Sequence, residues 1–506
     1  MLRLEITDIV AVIGAGAMGA GIAQVAATAG HPVVMFDARV EAAKAGHTGI
    51  LASLDRQVAR GKMKASTRDV IASRLTVAAS MNDLAPARLV IEAIVENLEV
   101  KQNLFAQLET IVAEDAILAT NTSSLSVTAI AAGLRQPGRV AGMHFFNPAM
   151  HMQLVEIISG LASASDTLQR LHDIALAWGK SPVRATSTPG FIVNRVARPF
   201  YAESLRLYEE RVATPETLDA IMREAGGFRM GPFELMDLIG HDVNLAVTRS
   251  VFEAFFGDPR YRPSLIQQEL VAAGWLGRKT GRGFYRHGED AIRPEPATAL
   301  PSPAPARVVV EGDLGPAEPL IPAMIAEGVS VDRRPGAGYL RLDSACLALG
   351  DGRSATLRVS EGAPSDLIVF DLAQDFDRAT RIAVAQAQQA PPEALPAAAG
   401  LFQLLGKKVS VLADSPGLVV LRTLATLANE ALEAVLSGVA TPADIDHAMQ
   451  LGVNYPVGPL SWADAVGASR ILFALEAIYA ANGDPRYRPS QLLRQCIASG
   501  RTLTGT

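Results

Sequence analysis

Residues 9–19 of this 506-residue chain read Ile-Val-Ala-Val-Ile-Gly-Ala-Gly-Ala-Met-Gly, and an alanine-rich stretch follows. The first five residues are apolar and predict a buried strand, while the glycines predict a tight turn into a helix. A second apolar run, Val33–Phe36, is followed directly by Asp37. The separation between Gly19 and Asp37 is close to the ~20 positions that usually separate the last glycine from a ribose-binding acid. This order of strand, glycine turn, helix, strand and acid is typical of a dinucleotide-binding unit.

Each part of this pattern has a physical role in binding a dinucleotide. Gly14 permits the sharp turn, Gly16 lets the backbone approach the pyrophosphate, and Gly19 lets the helix pack closely on the strand. The free N–H groups at the start of the helix face the phosphates. An acid at Asp37 suits the ribose hydroxyls of NAD, whereas the nearby Arg39 leaves NADP as an alternative. The predicted cofactor loop comprises Gly14, Ala15, Gly16, Ala17, Met18 and Gly19.

The composition excludes several classes of protein. Hydrophobic residues make up 49% and charged residues 19% of the chain, which predicts several domains with real cores. The net charge of −6 argues against binding to nucleic acid or to an anionic membrane surface. Two widely spaced cysteines predict no zinc site and favour a reducing, cytoplasmic location. The uncharged stretch 9–30 is long enough to span a bilayer. Its glycines and its change from a strand pattern to a helical pattern favour a buried strand and helix instead, so no membrane segment is expected.

The alternation of apolar strands and helices continues through the first part of the chain. It predicts an α/β fold with a doubly wound, mostly parallel sheet of the Rossmann type. After about residue 189 long helices dominate, and Pro/Ala-rich stretches separate further segments. We predict an NAD-binding Rossmann domain at 1–186, a first helical domain at 187–287, a linker at 288–306, a small α/β-like insert at 307–405, and a second, degenerate helical domain at 406–506.

The two helical domains are copies of one sequence. Pro189-Gly190 recurs 227 residues later as Pro416-Gly417, and Gly231-Pro232 recurs as Gly458-Pro459 at the same spacing. We call this spacing of 227 residues the repeat offset. The copies differ at Asn194, which becomes Leu421 in the second copy. Because the second copy keeps its packing signals and loses this amide, Asn194 is a candidate functional residue. A purely structural amide within the helix is the alternative.

His144 and Glu156 form a second candidate constellation. His144 ends a predicted strand, and Glu156 lies further on, on the returning strand. A histidine can act as a general base near neutral pH, and a carboxylate can orient its ring and stabilise the imidazolium. Such a pair suits removal of a proton from an alcohol whose carbon gives hydride to NAD. A structural histidine and a surface acid are the alternatives.

These motifs resemble a known family. Asn121–Leu125, His144–Pro148 and Thr188–Arg195 follow the glycine loop in the order found in the L-3-hydroxyacyl-CoA dehydrogenases, and the resemblance covers residues 5–287. The duplicated tail, with Gly452–Pro456, resembles a bacterial branch that acts on 3-hydroxyadipyl-CoA in phenylacetate degradation. The resemblance implies NAD-dependent oxidation of a (3S)-3-hydroxyacyl-CoA to the 3-oxoacyl-CoA, in a cleft between the first domain and the first helical copy.

Alternatives to this activity remain open at this point. They are a 3-hydroxybutyryl-CoA dehydrogenase, an NAD-linked hydroxyacid dehydrogenase that uses no CoA, and a non-enzymatic NAD-binding module. The resemblance also implies that the second helical copy packs on the first, as two subunits do in single-copy relatives. We therefore expect an intrachain pseudo-dimer, with a homo-oligomer as a further option.

The resemblance implies roles for individual residues. His144 would be the general base, Glu156 its partner, and Ser123 and Asn194 the ligands of the substrate oxygen. The residues that match positions lining the NAD site are Asp37, Glu96, Lys101, Ser123, Asn147 and Lys279. Those that match positions touching coenzyme A are Ser53 and Arg60. For Glu96 and Lys101, a pair on a helix surface is the alternative.

Two arginines suggest a finer specificity. A guanidinium suits the far carboxylate of a dicarboxylyl substrate, and Arg229 stands where the family usually has proline. We hypothesise that Arg229 or Arg198 binds that carboxylate, with a solvated arginine as the alternative.

Overall fold

The computed structural model describes residues 4–505, so residues 1–3 and 506, at the outer ends of the first and last predicted domains, lie outside it. The chain forms two compact units. The first contains the residues up to Arg195 together with Ser437–Val453, and the second contains Val196–Leu436 together with the residues from Asn454 onward. The first unit thus includes a segment that we had assigned to the second helical domain.

The first unit is built on a parallel sheet. Its strands are Ile9–Ile13 (β1), Val33–Phe36 (β2), Leu75–Val77 (β3), Ala87–Glu92 (β4), Ile117–Thr120 (β5), Val140–Phe145 (β6), Leu154–Ser159 (β7) and Ser181–Thr186 (β8). Within residues 4–195 they lie in the order β3-β2-β1-β4-β5-β6-β7-β8. Every neighbouring pair is parallel except β6 and β7. The predicted doubly wound sheet is confirmed, although β3 and β8 were not predicted, since β3 is short and β8 mixes polar and apolar residues.

Helices flank this sheet and bury its central strands. They are Ala17–Ala29 (α1), Val40–Ala59 (α2), Ala65–Ser73 (α3), Leu98–Ile111 (α4), Val127–Ala131 (α5), Ser165–Ala177 (α6) and Val193–Val196 (α7). Strands β1 and β4 are neighbours although β2 and β3 intervene in sequence, so the winding reverses between them. In such sheets ligands bind beyond the carboxyl ends of the strands at this reversal, which is where the glycine turn after β1 lies.

The second unit begins with a helical segment. Its helices are Arg198–Glu209 (α8), Pro215–Glu224 (α9), Pro232–Ile239 (α10), His241–Ala254 (α11) and Leu265–Ala272 (α12). Four of them begin with proline in the first turn or a serine cap, where the first N–H groups need no helical partner.

A second sheet follows the helices. Its strands are Arg307–Glu311 (β9), Ser330–Arg334 (β10), Tyr339–Arg341 (β11), Cys346–Leu349 (β12), Leu367–Phe370 (β13), Arg381–Gln386 (β14) and Lys408–Leu412 (β15). Within residues 307–412 their order is β10-β9-β11-β12-β13-β14-β15. The remaining helices are Leu320–Ala326 (α13), Ala355–Ser360 (α14), Ala394–Leu404 (α15), Val420–Leu436 (α16), Pro442–Val453 (α17), Pro459–Val466 (α18), Ala468–Asn482 (α19) and Gln491–Ser499 (α20). Helix α17 belongs to the first unit.

The second sheet follows the first in register at the repeat offset of the helical copies. Strands β13 and β14 pair antiparallel, as β6 and β7 do, and β14 and β15 pair parallel, as β7 and β8 do. The pair Leu154↔Ser181 of the first sheet corresponds to Arg381↔Lys408 of the second. The predicted small α/β-like insert is confirmed as α/β, and β13–β15 of this second sheet resemble the far half of the first sheet.

A buried lysine supports this correspondence. Lys180 Nζ donates to the carbonyl oxygens of Ala149 and Met152, at 2.6 and 2.8 Å. Lys407, its counterpart at the repeat offset, donates at the same two distances to the carbonyl oxygens of Phe376 and Ala379. Each lysine fixes the turn between two strands, so the two sheets share this side-chain anchor as well as their register.

The predicted linker is fixed to the second unit. Ala297 donates its N–H to Thr217 Oγ1 at 3.0 Å, and Ala299 donates to the carbonyl of Val409 at 2.8 Å. The segment therefore lies along the second unit without regular secondary structure of its own.

Within the second unit the two helical copies make reciprocal contacts. Tyr261 donates its hydroxyl to Glu430 at 2.6 Å, and Tyr487 donates to Glu203 at 2.7 Å. Both tyrosines end equivalent Pro-Arg-Tyr turns, and both glutamates occupy equivalent positions, on α16 and α8. Each copy thus donates a tyrosine hydroxyl to a glutamate of the other copy, and such reciprocal contacts are typical of a two-fold interface.

Arg422 occupies the centre of one of these contacts. Its side chain is fully buried and donates to Glu203 at 2.8 Å and to Glu210 at 2.8 and 3.0 Å. Burial by itself raises the pKa of Glu203, but the charges of Arg422 and Arg486 hold that pKa below its ordinary value. Arg422 therefore keeps a buried carboxylate ionised between the copies.

Replacing Arg422 by leucine should destabilise the second unit by about 3–5 kcal/mol, because Glu203 would remain buried without its main counter-charge. Denaturant unfolding followed by circular dichroism measures this loss. The matched control is Arg307→Leu, since Arg307 and its partner Asp332 are both more than half exposed and their pair should contribute about 1 kcal/mol or less. Equal effects of the two substitutions would contradict this account of the interface.

Candidate active site

The glycine turn after β1 requires glycine at two of the three glycine positions of the motif. Gly14 has a φ of +95°, and a Cβ there would lie 2.5 Å from the carbonyl oxygen of Ala93. A Cβ at Gly19 would collide with the carbonyl oxygen of Gly14. A Cβ at Gly16 would instead enter open space, since no atom lies within 4 Å of it. Two glycines therefore build the turn, and the third leaves room in front of the helix N-terminus.

Asp37 is held beside this turn. Its Oδ2 accepts the N–H of Ala15 at 3.0 Å, and its Oδ1 accepts the N–H of Arg39, also at 3.0 Å. A cavity of about 590 Å³ opens here and is lined by Asp37, Arg39, Gly16 and their neighbours on α1 and α2. The open space at Gly16 and a carboxylate at the end of β2 fit the pyrophosphate and a ribose of a dinucleotide.

His144 and Glu156 meet across β6 and β7. They are directly opposed in the antiparallel register, and His144 Nδ1 lies 2.7 Å from Glu156 Oε2. Both are buried, with exposed fractions of 6% and 1%. Because a carboxylate accepts, Nδ1 carries the proton of this contact, and in the neutral form of the ring Nε2 has a free lone pair. Nε2 has no hydrogen-bond partner among residues 4–505, so it is available to accept a proton.

The second oxygen of Glu156 holds the start of helix α7. Its Oε1 accepts the N–H groups of Ile192 and Val193 at 3.1 and 3.0 Å. Asn194 is the next residue, so one carboxylate orients the imidazole of His144 and also anchors the turn that carries Asn194. The rings of Phe146 and Phe191 lie 4.6 and 5.9 Å from the imidazole. The structure thus brings His144, Glu156 and the backbone of Asn194 into one site.

A second polar cluster lies at the ends of β4 and β5. Lys101 is buried, and its Nζ lies 2.5 Å from Glu92 and 3.3 Å from Glu96. Glu96 also accepts the Thr122 hydroxyl at 2.5 Å and the Ser123 N–H at 3.0 Å. Burial raises the pKa of Glu96. The hydrogen bond from Thr122 and the charge of Lys101 lower it by more, so the pKa of Glu96 lies below its ordinary value.

This cluster joins three of the predicted residues and adds one that the sequence analysis missed. Lys101 lies inside the unit, so the surface pair considered as an alternative for Glu96 and Lys101 does not describe it. Glu92 is fully buried and also accepts the hydroxyl of Thr120 at 2.7 Å. The signal for Glu92 was an acid at the end of an otherwise apolar strand.

The other predicted residues lie apart from these clusters. Asn147 is exposed just after β6, Ser53 is half-buried on α2, and Arg60 is exposed at the end of that helix. Lys279 belongs to the second unit, where its Nζ lies 2.5 Å from Asp242. Arg229 is exposed and Arg198 is buried, both in the second unit.

The second copy lacks the histidine–glutamate pair. At the repeat offset, His144 becomes Asp371 and Glu156 becomes Ala383. Asp371 itself accepts the N–H groups of Val419 and Val420, at 3.0 and 2.7 Å, at the start of the equivalent helix. Burial raises the pKa of Asp371 to about 6, although these N–H groups oppose the shift. The second copy therefore keeps a carboxylate that anchors the start of the helix, but it has no histidine for a carboxylate to orient.

Comparison with protein families gives matches along most of the chain. The NAD binding domain of 3-hydroxyacyl-CoA dehydrogenase matches residues 9–188, and the C-terminal domain of that family matches residues 190–287 and 417–505. The reduced Rossmann-fold domain of 3-hydroxybutyryl-CoA dehydrogenase matches residues 347–416. These matches confirm a Rossmann NAD-binding domain with helical C-terminal domains, and they match residues 347–416, which overlap the predicted insert, to a reduced Rossmann-fold domain.

Individual relatives agree with these matches. The 3-hydroxyadipyl-CoA dehydrogenase of Escherichia coli K12 is 46% identical over 488 residues, which cover 96% of both chains. The human mitochondrial hydroxyacyl-coenzyme A dehydrogenase is 43% identical over 285 residues, which cover 55% of this chain and 90% of the human one. A crystal structure of 3-hydroxybutyryl-CoA dehydrogenase from E. coli K12 is similar with a TM-score of 0.89 and 44% identity, and covers 98% of this chain and all of that one.

The glycine turn allows folding and cofactor binding to be separated by two matched substitutions. Gly19→Ala should lower the unfolding temperature of the apoprotein, because the new methyl group collides with backbone. Gly16→Ala should leave that temperature unchanged and raise the Kd for NAD, because its methyl group enters the space expected for the pyrophosphate. Differential scanning fluorimetry and NAD titration measure the two effects. A normal NAD affinity in Gly16→Ala would contradict the assigned cofactor position.

Proposed function

This chain belongs to the 3-hydroxyacyl-CoA dehydrogenase family and is an NAD-dependent oxidoreductase, and from that premise we propose that His144 is its general base. The observation that supports this most directly is the 2.7 Å contact between His144 Nδ1 and Glu156. With Nδ1 protonated, Nε2 accepts the proton of the substrate hydroxyl at C3. NAD⁺, when bound, supplies the acceptor for the hydride that leaves the same carbon.

Glu156 stabilises the positive charge that forms on the imidazole. It remains an acceptor throughout, since its other oxygen is bound by two N–H groups at the start of α7. Ser123 and Asn194 bind the substrate oxygen and stabilise the charge on it as the proton leaves. The half-buried side chain of Asn194 follows the anchored residues directly, so its position depends on Glu156.

The cofactor contacts follow from the same division of roles. The turn Gly14–Gly19 receives the pyrophosphate and Asp37 binds the adenosine ribose. The further residues proposed to line the NAD site are Glu96, Lys101, Ser123, Asn147 and Lys279. Ser53 and Arg60 contact coenzyme A, where the exposed guanidinium of Arg60 suits a phosphate.

We propose that the substrate is 3-hydroxyadipyl-CoA, with 3-oxoadipyl-CoA as the product, in phenylacetate catabolism. Support comes from the full-length similarity to the E. coli 3-hydroxyadipyl-CoA dehydrogenase, which includes the duplicated tail. 3-Hydroxybutyryl-CoA is the second candidate, because a solved structure similar over the full length carries that substrate in its name.

The second copy is proposed to act as an internal partner for the first. The reciprocal contacts Tyr261–Glu430 and Tyr487–Glu203 resemble those of a two-fold dimer interface, and the second copy has lost the base, its acid and the amide. It is therefore a scaffold and has no active site of its own. We retain as proposals the five-segment domain division and a cytoplasmic location, which suits two free buried cysteines.

Replacing Glu156 by glutamine should lower kcat by about 10²- to 10⁴-fold, because the neutral amide neither orients the imidazole correctly nor stabilises its charged form. His144→Gln should reduce kcat at least as far. NADH absorbance in steady-state assays measures both. The control is Glu109→Gln, since Glu109 also accepts two backbone N–H groups but holds no histidine, and activity should persist. Comparable losses in this control would point to folding rather than catalysis.

Initial rates with 3-hydroxybutyryl-, 3-hydroxyhexanoyl- and 3-hydroxyadipyl-CoA identify the substrate. We expect all three to be oxidised with NAD⁺, and kcat/KM to be highest for the adipyl thioester. Free CoA should inhibit competitively, because the thioester is bound partly through its CoA. A higher kcat/KM for the butyryl thioester would transfer the assignment to that substrate, and activity on free hydroxyacids alone would exclude a CoA substrate.

A further inference from the structure

The second unit contains a pocket beside helices α8 and α11. Its volume is about 560 Å³, and all the residues that line it belong to that unit. Arg198, Tyr201 and Leu205 line it from α8, and Asn244 and Thr248 line it from α11. An arginine, hydroxyl groups and apolar carbon therefore face one space, which is the mixed lining expected for an acyl chain with a polar end.

Five arginines line this pocket, and four of them are paired or solvated. Those with a carboxylate within 4.0 Å are Arg206, Arg260 and Arg486. Arg262 is exposed. Arg198 differs from all of these, because it is only 6% exposed and no carboxylate among residues 4–505 lies within 4.0 Å of it. The pocket thus contains a buried cation without a counter-charge.

The surroundings of Arg198 leave part of its hydrogen-bonding capacity unused. Nη1 donates to Thr248 at 3.1 Å, whereas Nε is buried without a partner. The guanidinium lies 4.9 Å from the ring centre of Tyr201, and the buried hydroxyl of Tyr455 also has no partner among the described residues. Burial lowers the pKa of Arg198 and raises that of Tyr201, so the phenol stays neutral and does not cancel the charge.

A buried unpaired charge is costly, so its presence requires a reason. The second helical copy shows that the fold does not need this arginine, because Ala425 occupies the equivalent position on α16. Asn194, one helical turn earlier, becomes Leu421 in the same copy. The two polar groups of this segment are therefore lost together where the catalytic pair is also absent.

We infer that Arg198 binds the far carboxylate of a dicarboxylyl-CoA substrate and so determines its specificity, with Tyr201 as a neighbouring donor. The carboxylate supplies the missing counter-charge. Asn194, which is proposed to bind the C3 oxygen, precedes Arg198 by only four residues in the chain. The inference rests on the proposed function.

This assignment selects between the two arginines named from the sequence. Arg229 is exposed, so a carboxylate bound there would compete with water and gain little. Arg198 is desolvated, so an ion pair there is strong and geometrically specific. An acyl chain without a terminal carboxylate would leave the charge of Arg198 unpaired in this pocket. The pocket therefore favours a dicarboxylyl substrate over an acyl substrate of similar length that ends in a methyl group.

The experiment measures kcat/KM for 3-hydroxyadipyl-CoA and 3-hydroxybutyryl-CoA in the wild type and in Arg198→Met, Arg198→Lys and Arg229→Ala. Methionine approximates the volume of the arginine stem without its charge, and it should lower the adipyl-to-butyryl ratio by about 10- to 100-fold. Lysine keeps the charge but not the planar fork, so it should restore part of the ratio. Arg229→Ala should leave the ratio unchanged. The unfolding temperature of Arg198→Met should not fall, because an unpaired charge is removed.

The outcomes separate this inference from the proposed function. A wild type that oxidises neither thioester overturns the proposed function. An active wild type whose adipyl-to-butyryl ratio is unchanged in Arg198→Met overturns the inference alone, as does an equal loss on both substrates with a lower unfolding temperature. Stabilisation of the wild type but not of Arg198→Met by inorganic phosphate, with an unchanged ratio, would also overturn it, because the pocket would then bind an independent anion.

Discussion

The buried carboxylate of Glu156 is the interaction on which the candidate active site depends. One oxygen holds the imidazole of His144, and the other accepts two backbone N–H groups at the start of α7. Hydrogen bonds to its lone pairs offset the cost of burying a carboxyl group. The same bonds that solvate the charge also fix the general base and the turn carrying Asn194, so chemistry and local folding share one group.

The second copy shows what remains when the chemistry is lost. Asp371, in place of His144, reaches the equivalent backbone N–H groups directly, and Ala383 replaces the glutamate. The helix start is still anchored, yet no base is present. Selection on packing alone would keep such an anchor, because a free helix N-terminus inside a unit leaves donors unsatisfied. The reciprocal tyrosine–glutamate contacts between the copies have likewise been kept.

Charge balance distinguishes the two kinds of buried arginine in the second unit. Arg422 is surrounded by acids and stabilises the packing of the helical copies. Arg198 is also buried but has only hydroxyl groups and rings around it. Because an unpaired charge in a low-dielectric interior is unfavourable, a fold built only for stability would replace the second arginine, as the second copy has done with Ala425.

The local sequence pattern by itself determined the cofactor turn and the parallel sheet of this protein. The spacing of Gly14, Gly19 and Asp37 predicted the cofactor turn, and the apolar runs predicted the parallel sheet, because glycine geometry and strand periodicity act between near neighbours. Tertiary structure alone decided the partners of Glu92 and the isolation of Arg198, because both depend on residues distant in sequence. It also showed that β13–β15 of the second sheet repeat the pairing of β6–β8, since the strand register has been kept where the side chains have changed.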